Sequence, residues 1–564
     1  MYLKNFHITN FRCISDLDIE FQKGLNVLIG ENNSGKTAII DALRLSLGIG
    51  PNRREIFTNS DDFHISLEGI RTDQIEFNLT FSEPSIEEQG VFIELLTIKE
   101  NVPELQLHIR YKLENKNGIE RIKFTCWGGE NEGQSISSDV FDLFYYVHLG
   151  ALRNAEKDLS PSRGNRTSQL FLKLVENLDE QKKYAQAIQN KIDELENWNE
   201  LKKKAKEKVN EHLSKLTIVD SKQEIDINHI PFEYKKIVEN LKMQLLQRFG
   251  SDSIQRFEIY QNGLGYNNLI YISTVLGDIF ERKQREKESF ISLFIEEPEA
   301  HLHPQLQDIL FNFLKKTAEE KIQIFITSHS PTVSAKSQLN SIIVLQKTDD
   351  NVSSVSLKEC NLNETNQKKL ERFLDVTKAQ LFFAKGVLLV EGISEALLIP
   401  TFSEILGYDL DQSGIEIVNI NGVAFEPFAK LFNSISEKER LKSRCSIVTD
   451  DDRQNGSISK RAGRAVSLKN ANLNVLLSKK TFEYELFICG NEEILKSLYL
   501  EMHPRTIIAT ADDFIEKLEN NKDKAEFAQN LAYKLHSDQE TKRNFRVPKY
   551  IKDSLDWVLK KENA

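Results

Sequence analysis

Leu25-Asn26-Val27-Leu28-Ile29-Gly30-Glu31-Asn32-Asn33-Ser34-Gly35-Lys36-Thr37 runs directly into Ala38-Ile39-Ile40-Asp41-Ala42-Leu43-Arg44-Leu45-Ser46-Leu47. The first six residues are an apolar run of strand type, and the last ten carry apolar side chains at helical spacing. Between them Gly30 to Thr37 fits GxxxxGK[ST], in the strand–loop–helix setting that this motif requires. Loop N–H groups at Gly30, Asn32, Asn33 and Gly35, with the N-terminus of the helix, can cradle phosphates. Lys36 can reach the β- and γ-phosphate oxygens, and the Thr37 hydroxyl can hold Mg²⁺. The stretch predicts an α/β nucleotide-binding fold that takes ATP.

Such a fold needs a second carboxylate at the end of a buried strand, and Ile291-Ser292-Leu293-Phe294-Ile295-Glu296-Glu297 supplies one. Glu296 is placed for the metal. Glu297, one step on, becomes the candidate base that orients a water, and His329 at the end of IFITSHS the sensor of the γ-phosphate. Taken singly these are a capping carboxylate and a core histidine; it is their order along the chain that argues for a site.

A second α/β pattern starts at Val387-Leu388-Leu389-Val390-Glu391-Gly392-Ile393-Ser394-Glu395, a buried strand, a tight turn and a helix with its cap near Ser394. Glu391 sits at the strand end and Glu395 in the first helical turn, so both face the crevice above the sheet where open α/β folds bind ligands. Some sixty residues later SIVTD closes another strand, and Asp450 and Asp452, two apart, project the same way. Carboxylates gathered like this need cations, and oxygen-only ligation suits Mg²⁺ or Mn²⁺.

Between these halves, Tyr184, Ile188, Ile192, Leu195, Trp198, Leu201, Ala205, Val209, Leu213 and Leu216 recur at spacings of three and four among Lys and Glu. This predicts a long helical arm, with interleaved charge as its solvated face and pairing to another subunit as its use.

Composition sets the limits. The 564 residues exceed one hydrophobic core, so a multidomain chain is expected. A net charge of −11, from 74 Lys+Arg against 85 Asp+Glu, excludes a protein coated in phosphate-binding charge, so any nucleic-acid contact must be local. Five scattered cysteines without CxxC spacing support neither a disulfide framework nor a zinc ribbon. No apolar run approaches the roughly 20 residues of a membrane span and the N-terminus lacks a signal-peptide core, so a cytoplasmic protein with no membrane contact is expected.

The phosphate loop, Glu296, Glu297 and His329 resemble the ABC ATPases of the DNA-repair type. That resemblance implies a signature loop meeting ATP held by a partner domain, and QNGLGYNNLIY is its candidate, with Asn262 in the signature serine's place and Gly263 and Gly265 giving backbone access. Asn262 and Glu296 depart from the usual Ser and Asp, which points to ATP as a switch more than as fuel. One nucleotide domain per chain implies a homodimer or higher homo-oligomer.

VEG…E followed by DxD resembles the TOPRIM signature of primases, type II topoisomerases and OLD (overcoming lysogenization defect) nucleases. The order of phosphate loop, arm, second carboxylate strand and TOPRIM is similar to the OLD family over nearly the whole chain. The fold class this implies is α/β: a split ABC-type ATPase domain (1–150 and 246–375) with an inserted helical dimerisation arm (151–245), then a TOPRIM domain (376–564). It also implies further acidic residues and a lysine, for which Glu483 and Glu485 and then Lys524 are the candidates, with Lys549 the rival lysine.

Under the family's mechanism, two metals about 4 Å apart would act on a DNA phosphodiester. Glu391, Glu395, Asp450, Asp452 and Glu483 would hold them and Lys524 would offset charge on the phosphate or protonate the leaving group. Lys460, Arg461, Arg464 and Lys469 are either a hold on the flanking strand or a solvated loop. The family also suggests antiphage defence, beside a helicase or a reverse-transcriptase (retron) partner. A rival reading keeps the ATPase but makes the TOPRIM domain a non-cleaving sensor or clamp on DNA.

Overall fold

The computed structural model describes residues 1–49, 55–116, 119–151, 155–216, 224–249, 253–285, 289–319, 322–348, 351–358, 360, 362–374, 377–422, 424–451 and 458–560. The chain divides into two compact units. One comprises residues 1–141, 294–299 and 311–564, the other residues 142–293 and 300–310.

In the first unit the phosphate-loop strand Leu25–Gly30 is buried along its whole length. It pairs in parallel with Gln323–Ser328 on one side and with Ile342–Thr348 on the other. Asn351–Ser356 adds an antiparallel edge, and the end of the strand Phe290–Glu296, from Phe294 on, lies beyond Gln323–Ser328. Continuous apolar runs are what central parallel strands require, because helices cover both faces. A second sheet is antiparallel, in the order Ile14–Glu20, Tyr2–Phe11, Gln74–Ser82, Val102–Lys116, Leu96–Lys99, with Ile119–Gly128 paired to Val102–Lys116. Here Ile75, Phe77, Leu79 and Phe81 turn inward while Glu76, Asn78 and Thr80 alternate outward, the period of two of a one-sided sheet.

The TOPRIM part of this unit has a four-stranded parallel sheet, ordered Ile415–Asn419, Gly386–Val390, Arg444–Asp450, Leu473–Ser478. Its core joins Leu388, Val390 and Val448 of the sheet to Phe402, Phe482, Leu486, Phe527, Leu531, Tyr550 and Leu555 of the flanking helices.

The second unit contains the arm, which is not one helix: Arg166–Leu174, Leu178–Asp193 and Glu196–Leu216 follow one another, with Ala155–Leu159 before them and Tyr234–Glu239 after, among the described residues. The first break follows from Asn177, whose side chain accepts from the N–H groups of Asp179 and Glu180 and so starts a new helix. At the second, the Asn199 amide donates to the Asp193 carbonyl at 2.6 Å. Leu195, Leu201 and Val209 stay exposed, while Trp198, partly exposed, stacks on His229 and Tyr184 lies against Tyr234. Among the described residues no helix is long and apolar enough to cross a membrane.

Candidate nucleotide site and carboxylate centre

The phosphate loop closes tightly. A Cβ on Gly30 would lie 2.4 Å from the Leu345 carbonyl oxygen and 2.7 Å from Ser34 Oγ, so only glycine lets the loop leave its strand here. Gly35 caps the helix Lys36–Leu47, and Asn32 and Asn33 are exposed on the loop. Lys36 is buried and folds back, its Nζ donating to Gly30 O at 2.8 Å, Glu31 O at 2.6 Å and Ser34 Oγ at 3.1 Å. Burial pulls its pKa down to about 8, against the pull of Glu297, Glu31 and Glu299. A buried ammonium held by neutral oxygens alone is matched to an anion. A cavity of about 360 Å³ opens beside it, lined by Arg12, Asn33, Gly35, Lys36, Thr37, His329 and Lys347.

Thr37 Oγ1 donates to Glu296 Oε2 at 3.0 Å, joining the two residues expected to hold Mg²⁺. Glu297 takes a left-handed backbone conformation (φ 44°), its N–H donates to Thr327 O at 2.9 Å, and its carboxylate stands 3.3 Å from His329 Nε2. Burial, then the charge of Lys36, depresses the His329 pKa, so the ring is neutral at pH 7. The donor set fits a triphosphate with its Mg²⁺. In the second unit, Asn262 Nδ2 donates to Glu258 O at 3.1 Å and Gly263 caps the helix Leu264–Gln284. A Cβ on Gly265 would meet His301 O at 2.7 Å.

At the C-terminal edge of the TOPRIM sheet the structure gathers Glu391, Glu395, Asp450, Glu483 and Lys524. Glu391 follows the strand Gly386–Val390, and Asp450 ends the strand Arg444–Asp450. Glu395 lies in the first turn of the helix Ile393–Ile405, whose cap is Gly392 and not Ser394. Ser394 is instead turned inward, donating to Lys524 O at 3.4 Å. The helix Lys524–Ser537 packs on that helix, and Lys524 Nζ lies 3.5 Å from Glu483 and 3.1 Å from Glu519. Asp452 lies outside the described residues.

Burial lifts Glu395 to about 7, reinforced by Glu483 and Glu391. Burial likewise lifts Asp450 to about 8, reinforced by Glu395, Glu391 and Glu483 and opposed by the hydrogen bond from Ser478 Oγ at 2.8 Å. Desolvation works against the charge of Lys524, yet Glu483, Glu519 and Asp450 outweigh it and hold its pKa above the ordinary lysine value. Glu391 accepts from Thr449 Oγ1 at 2.8 Å and pairs with Arg461. Among the described residues, which leave out Asp452, no group of three or more carboxylate, histidine or cysteine side chains stands together as a metal-ligand set. Buried acids that repel one another, all with oxygen donors, fit a divalent cation in kind.

Residues 1–333 match the family described as AAA ATPase domain. The chain belongs to that AAA ATPase family. Residues 382–452 of this AAA ATPase match the TOPRIM domain of overcoming lysogenization defect protein-like proteins. Over its full length it is 24% identical to "Endonuclease GajA" of Bacillus cereus (strain HuB5-5), covering 99% of that protein. It is 26% identical to "OLD nuclease" of Thermus scotoductus over 75% of this chain and 78% of that one. Against "Old nuclease" of Escherichia phage P2 the identity is 25% over 79% and 78%.

Several neighbours of these sites escaped the sequence reading. Glu299 is half-buried and accepts from Ser328 Oγ at 2.6 Å and from the N–H of His329 at 3.3 Å, so it fixes the histidine's backbone; desolvation raises its pKa. Arg12 lines the nucleotide cavity, tied to Asp41 and Asp62 at 2.7 and 2.8 Å. Of the four basic residues after DxD, Arg461 is the one paired with Glu391. Glu485 accepts from the N–H of Lys479 at 3.0 Å, and Lys549 is exposed at the start of the helix Lys549–Val558. The EEPEAH stretch offered a signal for Glu299; nothing local distinguished Arg461 from its neighbours.

Proposed function

We propose that this protein is an ATP-regulated, divalent-metal-dependent DNA endonuclease. The observation that carries the reading is the cluster of Glu391, Glu395, Asp450 and Glu483 with Lys524 at the C-terminal edge of a parallel sheet. The nuclease names of the relatives that align over most or all of the chain support it. In this reading those four acids and Asp452 hold the cation, Mg²⁺ or Mn²⁺. When bound, it supplies Lewis acidity and a water acidic enough to attack a phosphodiester. Thr449 and Ser478 orient Glu391 and Asp450, and Arg461 releases Glu391 as the site loads. Lys524, kept protonated by its acidic neighbours, offsets the charge that builds on the phosphate.

At the other site Lys36 and the loop N–H groups take the phosphates of ATP, and Thr37 and Glu296 its Mg²⁺. Glu297 beside a neutral His329 orients the attacking water, and Asn262 and Gly263 serve a nucleotide held by a second copy. The exposed Leu195, Leu201 and Val209 of the arm support a homodimer or higher homo-oligomer. Residues 1–150, 151–245, 246–375 and 376–564 are the working segments. A place in antiphage defence, beside a helicase or reverse transcriptase, rests on the family resemblance.

The test is cleavage of supercoiled plasmid with Mg²⁺ or Mn²⁺, with and without ATP. Wild type should cut, Glu391→Ala should not, and Lys36→Ala should cut with an altered response to ATP. A folded wild type inert on plasmid, linear, single-stranded and RNA substrates would favour the non-cleaving clamp.

A further inference from the structure

The helix Lys549–Val558 runs back along the strand Arg444–Asp450. Arg444 Nη1 donates to Trp557 O at 3.3 Å, Trp557 Nε1 to Cys445 O at 3.1 Å, and Ser446 Oγ meets Ser554 Oγ at 2.6 Å. As the helix numbers fall the strand numbers rise, so Tyr550, one turn before Ser554 on the same face, lies toward the end that Asp450 occupies. Its ring belongs to the core that includes Val448 and Phe482, close neighbours in sequence of Asp450 and Glu483.

Tyr550 is only 8% exposed, yet its hydroxyl has no hydrogen-bond partner among the described residues. A phenylalanine would fill the same space without that unmet donor. Burial raises the phenol pKa well above its ordinary value, and the charges of Asp450, Glu395, Glu485 and Glu483 add to the effect, so the group stays a neutral O–H donor facing acids.

We propose that Tyr550 is a positioning residue of the carboxylate centre, its hydroxyl donating to the Asp450–Glu395–Glu483 group when these side chains gather around a divalent cation. Ser478 already occupies one oxygen of Asp450, and Tyr550 serves another oxygen of the cluster from the core side. The inference rests on the metal-dependent reading of that centre. Partners of this kind tune ligand orientation, and their loss typically weakens metal affinity by about 10- to 100-fold.

The experiment titrates Mn²⁺ into full-length wild type, Tyr550→Phe and Glu391→Ala by calorimetry, with unfolding temperatures of each metal-free protein. Tyr550→Phe should keep or raise its metal-free unfolding temperature, since the ring stays in the core and an unmet donor is removed, while its Kd for Mn²⁺ rises about 10-fold or more. A wild-type Kd in Tyr550→Phe overturns the proposal, and a lowered unfolding temperature beside that unchanged Kd marks Tyr550 as a packing residue. If Glu391→Ala also binds Mn²⁺ as wild type does, the metal centre itself falls. If only Tyr550→Phe is indifferent, the centre stands without it.

Discussion

Stripped of divalent metal, the TOPRIM domain should lose stability as pH rises from about 5 to about 7. The cause is Glu395 and Asp450, whose ordinary values of 4.5 and 3.8 are lifted by burial to about 7 and about 8. Their folded-state pKa values lie above the unfolded ones. The stabilisation is therefore complete below about pH 4 and is lost as pH climbs through 7 to 8. Within that window the folded protein holds protons that the unfolded chain has released. Each such proton costs about 1.4 kcal/mol of stability per pH unit. The two acids repel each other and titrate in linked steps, so counting one retained proton gives a fall of about 3 kcal/mol between pH 5 and pH 7.

The assay is urea unfolding in EDTA at several pH values, with Asp450→Asn combined with Glu395→Gln as the reference. The wild-type midpoint should fall with pH while the double variant stays nearly flat. Mn²⁺ should restore the wild type most at the high-pH end, because the cation takes the ionised acids. A metal-free wild type whose pH slope equals that of the double variant would refute the reasoning.

Arg461→Ala frees Glu391 from its guanidinium partner and should tighten Mn²⁺ binding several-fold by calorimetry; weaker binding would mean that Arg461 organises the site instead of competing for it. Lys524→Ala should cut plasmid cleavage by about 100-fold or more while leaving Mn²⁺ bound, as expected of a group that acts on the phosphate. Gly265→Ala forces a Cβ to within 2.7 Å of the His301 carbonyl and should destabilise the second unit by about 1–3 kcal/mol, read as a lower unfolding temperature. An unchanged unfolding temperature would show that the His301 segment yields freely.

How much was legible followed the range of the physics. The phosphate loop, the Glu296–Glu297 strand end and the VEG…E turn are each written in a few consecutive residues, where period, glycine placement and a terminal carboxylate fix local conformation. The parallel cores of the phosphate-loop and TOPRIM sheets could be anticipated because their central strands are continuous apolar runs that only a two-sided cover can bury. The arm was legible as helical but not in its break between Asp193 and Glu196, where the Asn199 side-chain bond to the Asp193 carbonyl interrupts a periodicity that runs on through it. The cap falls at Gly392, two residues before Ser394, whose hydroxyl donates instead to a helix 130 residues away.

Sequence by itself determined the elements and the chemical kinds at their ends. Tertiary structure decided which of those ends share a field. It paired Glu391 with Arg461 across 70 residues, set Lys524 against Glu483, and buried a Tyr550 hydroxyl that has no hydrogen-bond partner among the described residues. Burial and mutual repulsion, which lift Glu395 and Asp450 far above ordinary carboxyl values, exist only once distant segments exclude water together. A pattern of residue types carries no distances, and electrostatics depends on little else.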